Sequence, residues 1–108
     1  MSIVEGFKEL VKLYKAVLEC YEMHIVLQKS YPDVLKLKPE ALLRLSEVLG
    51  YEGFARFLQG LLALASLSAE HGGKLMNFTR LSPSEQEEIV AKLREAVNLM
   101  ESALNSIR

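Results

Sequence analysis

The chain contains few of the residues that cross-link or interrupt small proteins. Cys20 is the only cysteine, which excludes an intrachain disulfide and favours a reduced, cytoplasmic setting. Only three of the 108 residues are proline, which leaves long stretches free to form helices. The longest uncharged stretch, residues 57–69, has 13 residues, whereas a membrane-spanning helix needs about 20. Glu5 and Lys8 stand where a secretory signal would be apolar, so we expect neither a membrane span nor a signal peptide.

An excess of charge of one sign is also missing. Lys and Arg total 13 and Asp and Glu total 14, for a net charge of −1. Such a chain has no overall electrostatic preference for nucleic acid or an anionic membrane. Glu outnumbers Asp 13 to 1 and there is one Thr, a composition that resembles thermophile proteins.

Apolar residues, in contrast, are abundant. They make up half of the chain, and with the six Gly they reach 60 of 108 residues, above the usual ~45–50%. This length predicts a single domain over residues 1–108. The apolar excess must be covered, either inside that domain or by a partner.

The N-terminal third has the apolar spacing of a long helix. One stripe alternates steps of three and four residues, and a second stripe runs beside it. This pattern predicts a helix of roughly 26 residues with a wide apolar face, entered through a Ser2–Glu5 capping box. The first stripe contains Val4, Phe7, Val11, Tyr14, Leu18, Tyr21 and Ile25, and the second contains Leu10, Leu13, Val17, Cys20, His24 and Leu27.

The middle of the chain predicts two further helices. Pro39 suits the first position of a short second helix, and Gly50 is a plausible end for it. Residues 51–71 are apolar nearly all round, which predicts a central third helix. Gly53 and Gly60 would let a neighbouring helix approach this one closely. Alternatively, the second helix continues into the third with a kink near Gly50.

The last helix has clear signals at its start. Gly72 and Gly73 are helix stops, and Ser82, Pro83 and Glu85 form a helix start. An apolar stripe then runs from Val90 to Ile107. The sequence therefore predicts an all-α four-helix bundle with long first and last helices and a short second helix.

No assembled catalytic or cofactor-binding set is visible in the sequence. Residues 72–74, Gly-Gly-Lys, lack the first Gly and the Ser or Thr of a phosphate-binding loop. Cys20 and His24 share a helix face, but a tetrahedral metal site needs more ligands, so we interpret the pair as a buried thiol and a partly buried imidazole. We therefore predict no enzyme, no cofactor and no metal.

The chain between the last two helices is the least ordinary segment. Leu75, Met76 and Phe78 must fold back over the end of the bundle or meet a partner, and Lys74 and Arg80 stand near them without an acid. We predict a non-catalytic association module, with a homodimer as the favoured partner state. The alternatives are a metal- or small-molecule-binding bundle that uses the Cys20/His24 face, and a nucleic-acid-associated subunit. The predicted partner-binding residues are Phe54, Phe57, Leu61, Leu64, Leu75, Met76, Phe78, Lys74 and Arg80.

Overall fold

The computed structural model describes residues 3–23 and 37–106, except for the side chain of Met76. It contains α1 (Ile3–Glu22), α2 (Pro39–His71), a 3₁₀ helix (Gly72–Arg80) and α3 (Pro83–Asn105). No strand occurs in these two ranges. The predicted all-α class is confirmed. The predicted capping box and the continuation of the first helix to about residue 27 lie outside the described residues.

The predicted count of four helices is corrected to three α-helices in the described ranges. The second and third predicted helices form one helix, α2, that is kinked at Gly50. Gly50 has φ 76° and ψ 179°, a conformation that a residue without a Cβ adopts at little steric cost. Glycine here bends the helix rather than ending it, which is the alternative that the sequence left open.

The ends of α2 and α3 follow the predicted signals. Gly72 has φ 48° and donates its N–H to Ser68 O at the end of α2. Ser82 caps α3 by accepting a hydrogen bond from the N–H of Glu85 at 3.3 Å, and Pro83 takes the first helical position. The Ser82 hydroxyl and the backbone N–H of Gly72 thus satisfy backbone groups that a helix leaves free at its ends.

Cross-helix pairs define how the helices run. Lys15 pairs with Glu101 at 2.8 Å and Glu22 with Arg94 at 3.5 Å, so α1 is antiparallel to α3. Lys92 reaches Glu70 at 2.6 Å and Arg56 donates to Ser102 at 3.4 Å, so α2 is antiparallel to α3 as well. Helix α3 packs against both other helices, whereas α1 and α2 touch each other little. The central helix is therefore α3, and not the very apolar segment that the sequence favoured.

The core lies along α3 and is apolar throughout. Among the described residues, the side chains that form this core come from aliphatic and aromatic residues. At Gly60 a Cβ would lie 2.5 Å from Met100 Cγ and 2.8 Å from Ala96 O, so this glycine sets the close approach of α2 and α3. Gly53 meets no such crowding from α3, since Ser106 Oγ lies 3.9 Å away. Buried residues on α3 are Ile89, Leu93, Ala96, Val97, Met100, Ala103 and Leu104.

Candidate functional site

Most of the predicted partner-binding residues lie inside this chain's own core. Phe54 is partly buried, Lys74 and Arg80 are exposed, and the side chain of Met76 is not described. A partner that approaches the folded chain would therefore not reach the five buried members of the set. The five buried members of the predicted set are Phe57, Leu61, Leu64, Leu75 and Phe78.

The 3₁₀ helix closes one end of the bundle. The Phe78 ring stacks on Tyr21 with a centroid distance of 4.2 Å, and Tyr21 Oη donates to Leu75 O at 2.8 Å. Gln86 Nε2 donates to Phe78 O at 2.9 Å, which ties the segment to α3. Of the two predicted alternatives, folding back over the bundle or meeting a partner, Leu75 and Phe78 follow the first and cover the core. We call this region the closed end.

Lys74, one of the two cations predicted to bind a partner, already has an acidic neighbour. Lys74 Nζ lies 3.7 Å from Glu85 Oε2, so an acid on α3 already faces this cation. Other cations are likewise interleaved with acids, as in the pairs Lys12–Glu9 and Lys15–Glu101. The surface of the described ranges therefore presents mixed charge rather than a basic track.

An apolar groove lies at the other end of α1. Its volume is about 390 Å³ and it separates the first half of α1 from the start of α2. Leu13 stands in it with 46% of its side chain exposed. We call it the α1–α2 groove; it is lined by Ile3, Gly6, Phe7, Glu9, Leu10, Leu13, Leu37 and Ala41.

The groove follows from the broad apolar face of α1. The first stripe of α1 is buried at Phe7, Val11, Tyr14 and Tyr21. The second stripe is covered less, because α2 barely packs on this flank of α1. The sequence contained this signal, since two adjacent stripes are wider than one neighbouring helix can cover, but our list of partner-binding residues omitted Leu13.

A larger depression of about 650 Å³ lies beside the closed end. Its lining mixes Glu22, Gln86, Glu87 and Arg94 with Tyr21 and apolar residues. The Glu22–Arg94 ion pair belongs to this wall, so charged groups are already matched there. An apolar partner would therefore gain less by binding in this depression than in the α1–α2 groove.

Four ionisable side chains meet where α2 ends and α3 begins. Lys92 Nζ lies 2.6 Å from Glu70 Oε2 and 3.2 Å from Glu88 Oε1. His71 Nε2 lies 3.9 Å from the same Glu70 oxygen, which is too far for a hydrogen bond. It is buried and has no hydrogen-bond partner among the described residues. We call Glu70, His71, Glu88 and Lys92 the junction cluster; no spacing motif in the sequence indicates it.

The ion pairs of the junction cluster shift two pKa values. The hydrogen bond and charge of Lys92 lower the pKa of Glu70, and Ser66 adds a further hydrogen bond at 3.3 Å. Hydrogen bonds to Glu70 and Glu88 raise the pKa of Lys92. Both groups are therefore held in their charged forms.

Of the two residues of the Cys20/His24 face, only Cys20 lies within the described residues. Cys20 lies on α1 and forms no disulfide, and it is partly buried where a buried thiol was predicted. His24 lies outside the described residues. The predicted metal- or small-molecule-binding role of this face therefore stays a prediction.

Comparison with known proteins adds no assignment. No protein-family model, curated protein or solved structure matches this chain. Within residues 3–23 and 37–106, none of the helices has the length and apolarity to span a bilayer.

Proposed function

We propose that this chain is a non-catalytic helical module that acts by association, and that its first partner is a second copy of itself. The observation that carries the proposal is the α1–α2 groove. Seven of its eight lining residues carry no charge, and Leu13 is 46% exposed within it. Open apolar surface of this kind, rimmed by polar residues, is typical of interaction sites.

The charges around the groove favour a second copy of this chain as the partner. Glu9 and Lys12 pair on the α1 rim at 3.1 Å, and Lys38 and Glu40 stand at the start of α2. A two-fold axis brings the same surface against itself, so each sign can meet its opposite. The net charge of −1 adds little repulsion between two copies.

Burial of apolar side chains supplies the favourable free energy. Full burial of a Leu or Ile side chain contributes about 1.5–3 kcal/mol, and two-fold symmetry repeats each contribution. A standard interface buries roughly 800 Å² on each partner. The bundle measures 41 × 22 × 22 Å, so an interface of this size along its long side is feasible.

Replacing Leu13 by Gln tests where the copies meet. Leu13→Gln should weaken self-association by about 10- to 100-fold, because each copy loses the remaining burial of a half-exposed side chain, about half of the ~1.5–3 kcal/mol for full burial, and symmetry counts this loss twice. Sedimentation equilibrium over a concentration series measures the change. Leu13 is already half exposed, so the variant should fold normally.

Leu62→Gln is the matched control. Leu62 is 61% exposed on α2 and does not line the groove. The same chemical change at this position should leave self-association unchanged. Equal effects of the two substitutions would place the interface elsewhere, and no effect of Leu13→Gln on a stable dimer would refute the groove as its site.

The nucleic-acid alternative receives less support from the surface charges. This alternative rests on Lys74, Arg80 and the lysines of the first helix, of which Lys74, Lys12 and Lys15 each face an acid. We expect weak binding to DNA or RNA, without sequence preference and lost with added salt. Sub-micromolar binding at physiological salt that falls when Lys74 and Arg80 are both changed to Gln would favour the nucleic-acid role instead.

A further inference from the structure

The junction cluster holds one side chain whose placement the fold alone does not explain. The His71 side chain is only 9% exposed, and its Nε2 finds no hydrogen-bond partner among the described residues. Leaving a buried polar atom unsatisfied opposes folding. The atom faces the Glu70 carboxylate from 3.9 Å, which places it beside two acids rather than against the apolar core.

The position between these groups already attracts a cation. Glu70, His71 and Glu88 each offer one ligand atom, and the three atoms lie within 4.8 Å of one another. The Lys92 ammonium satisfies both carboxylates, at 2.6 and 3.2 Å. Its hydrogen bonds go to these two carboxylates, and Nε2 of His71 has no hydrogen-bond partner among the described residues. A metal ion would satisfy all three groups at once.

We propose that Glu70, His71 and Glu88 form a binding site for a divalent transition-metal ion of the zinc type, which displaces the Lys92 ammonium. One imidazole nitrogen and two carboxylate oxygens are ligands that Zn²⁺ uses, with water at the fourth tetrahedral position. The neutral imidazole presents its Nε2 lone pair to the metal, with the proton on Nδ1.

The geometry needs only small side-chain movements. Bonds of about 2.0–2.1 Å place tetrahedral ligand atoms roughly 3.3 Å apart. The His71–Glu70 distance of 3.9 Å must therefore shrink by about half an ångström, and no pair among the three ligand atoms, all within 4.8 Å, must close by more than about 1.5 Å. The Glu70 and Glu88 side chains are about half exposed, so they can rotate, while burial fixes His71. Lys92 is long and partly exposed and can swing its ammonium into solvent.

Titration calorimetry with Zn²⁺ on the full chain tests the site. His71→Gln should weaken zinc binding by at least about tenfold, and Glu88→Gln, which changes a half-exposed residue, should weaken it similarly. Lys92→Gln should instead strengthen binding by at least about tenfold, because a competing charge a few ångströms from the metal is removed. A lysine that only forms surface ion pairs predicts no such gain.

Two controls separate this site from others. Lys15→Gln also removes a lysine that pairs across helices, with Glu101, and should leave zinc affinity unchanged. His24→Gln should have no effect either, which excludes the Cys20/His24 face as the zinc ligand set. Circular dichroism checks that each variant is folded. If the His71→Gln protein does not fold, the Glu88→Gln protein still tests the site.

Two results would overturn the proposal. One is no heat of binding to the Lys92→Gln protein with zinc at about 0.1 mM. The other is zinc binding that neither His71→Gln nor Glu88→Gln weakens. The site is remote from the α1–α2 groove along the chain, so either result would leave the proposed self-association standing.

Discussion

The two ends of α1 differ in how completely their apolar side chains are covered. At its C-terminal end, Tyr21 is covered by Leu75 and Phe78 of the 3₁₀ helix. In its N-terminal half, Leu10 and Leu13 face the α1–α2 groove, and α2 packs little against α1. The first apolar stripe is thus covered along α1, at Phe7 by Phe57 of α2 and at Tyr21 by the 3₁₀ helix, whereas the second stripe stays partly open at Leu13.

The difference shows where a partner has something to gain. At the closed end the apolar side chains are already out of water, so a partner would gain little more by covering them. In the groove, burial of Leu13 is incomplete, so its hydrophobic free energy is still available to an association. The following substitutions disrupt the closed end or the packing that supports it.

Phe78→Ala should have the largest effect. Phe78 is buried and stacks on Tyr21, and removal of such a ring costs about 3–5 kcal/mol of unfolding free energy. Urea denaturation measures the loss. Leu62→Ala, at an exposed site, should cost well under 1 kcal/mol. A loss below 1 kcal/mol at Phe78 would mean that the 3₁₀ helix does not seal the core.

Gly60→Ala should loosen the α2–α3 contact that supports both ends. The new Cβ would lie 2.8 Å from the backbone oxygen of Ala96, so the helices must separate at a cost of about 1–3 kcal/mol. Gly6→Ala in α1 meets no atom within 4 Å and should gain up to about 1 kcal/mol from helix propensity. Thermal unfolding at low protein concentration compares them, and a Gly60→Ala protein as stable as the parent would refute the close approach.

Tyr21→Phe should weaken the closed end moderately. It removes the hydroxyl that donates to Leu75 O at 2.8 Å in a buried setting, which costs about 1–2 kcal/mol. Tyr51→Phe is the control, because Tyr51 is 90% exposed and its loss of a hydroxyl should change nothing measurable. Identical denaturation midpoints for the two variants would mean that the buried hydrogen bond adds no stability.

The smallest effect is expected from Lys92→Met, measured with a chelator present. The lowered pKa of Glu70 means that the ion pair adds stability above the ordinary carboxyl pKa of 4.5, which is lost as pH falls through the lowered value. The raised pKa of Lys92 means that the contribution of Lys92 to stability is lost only when the pH rises above its ordinary pKa of 10.5. Parent and variant should therefore differ slightly between about pH 5 and 10 and converge in acid. A difference in unfolding free energy between parent and variant that grows in acid would contradict this account.

Local signals predicted much of the fold. Ser82 and Pro83 mark the start of α3 and Gly72 marks the end of α2, because each satisfies or terminates backbone hydrogen bonding within one turn. Apolar spacing identified the buried face of α1. Such features depend on neighbours in sequence, so the sequence alone contains them.

Other features depend on contacts between distant residues. Whether Gly50 ends or kinks a helix is decided by what packs on either side of it, and the sequence left both outcomes open. Phe78 was predicted as a partner residue because nothing local shows that Tyr21 lies beneath it, 57 positions away. Glu70 and Glu88 meet through the antiparallel packing of α2 on α3, which no spacing rule in the sequence indicates.

The native mass of the unmodified protein tests the central proposal most directly. Multi-angle light scattering across low to high micromolar concentration should show a mass that rises from 12.2 kDa towards twice that value. The rise should be retained in Leu62→Gln and lost in Leu13→Gln. A constant mass of 12.2 kDa at every concentration would contradict self-association through the α1–α2 groove.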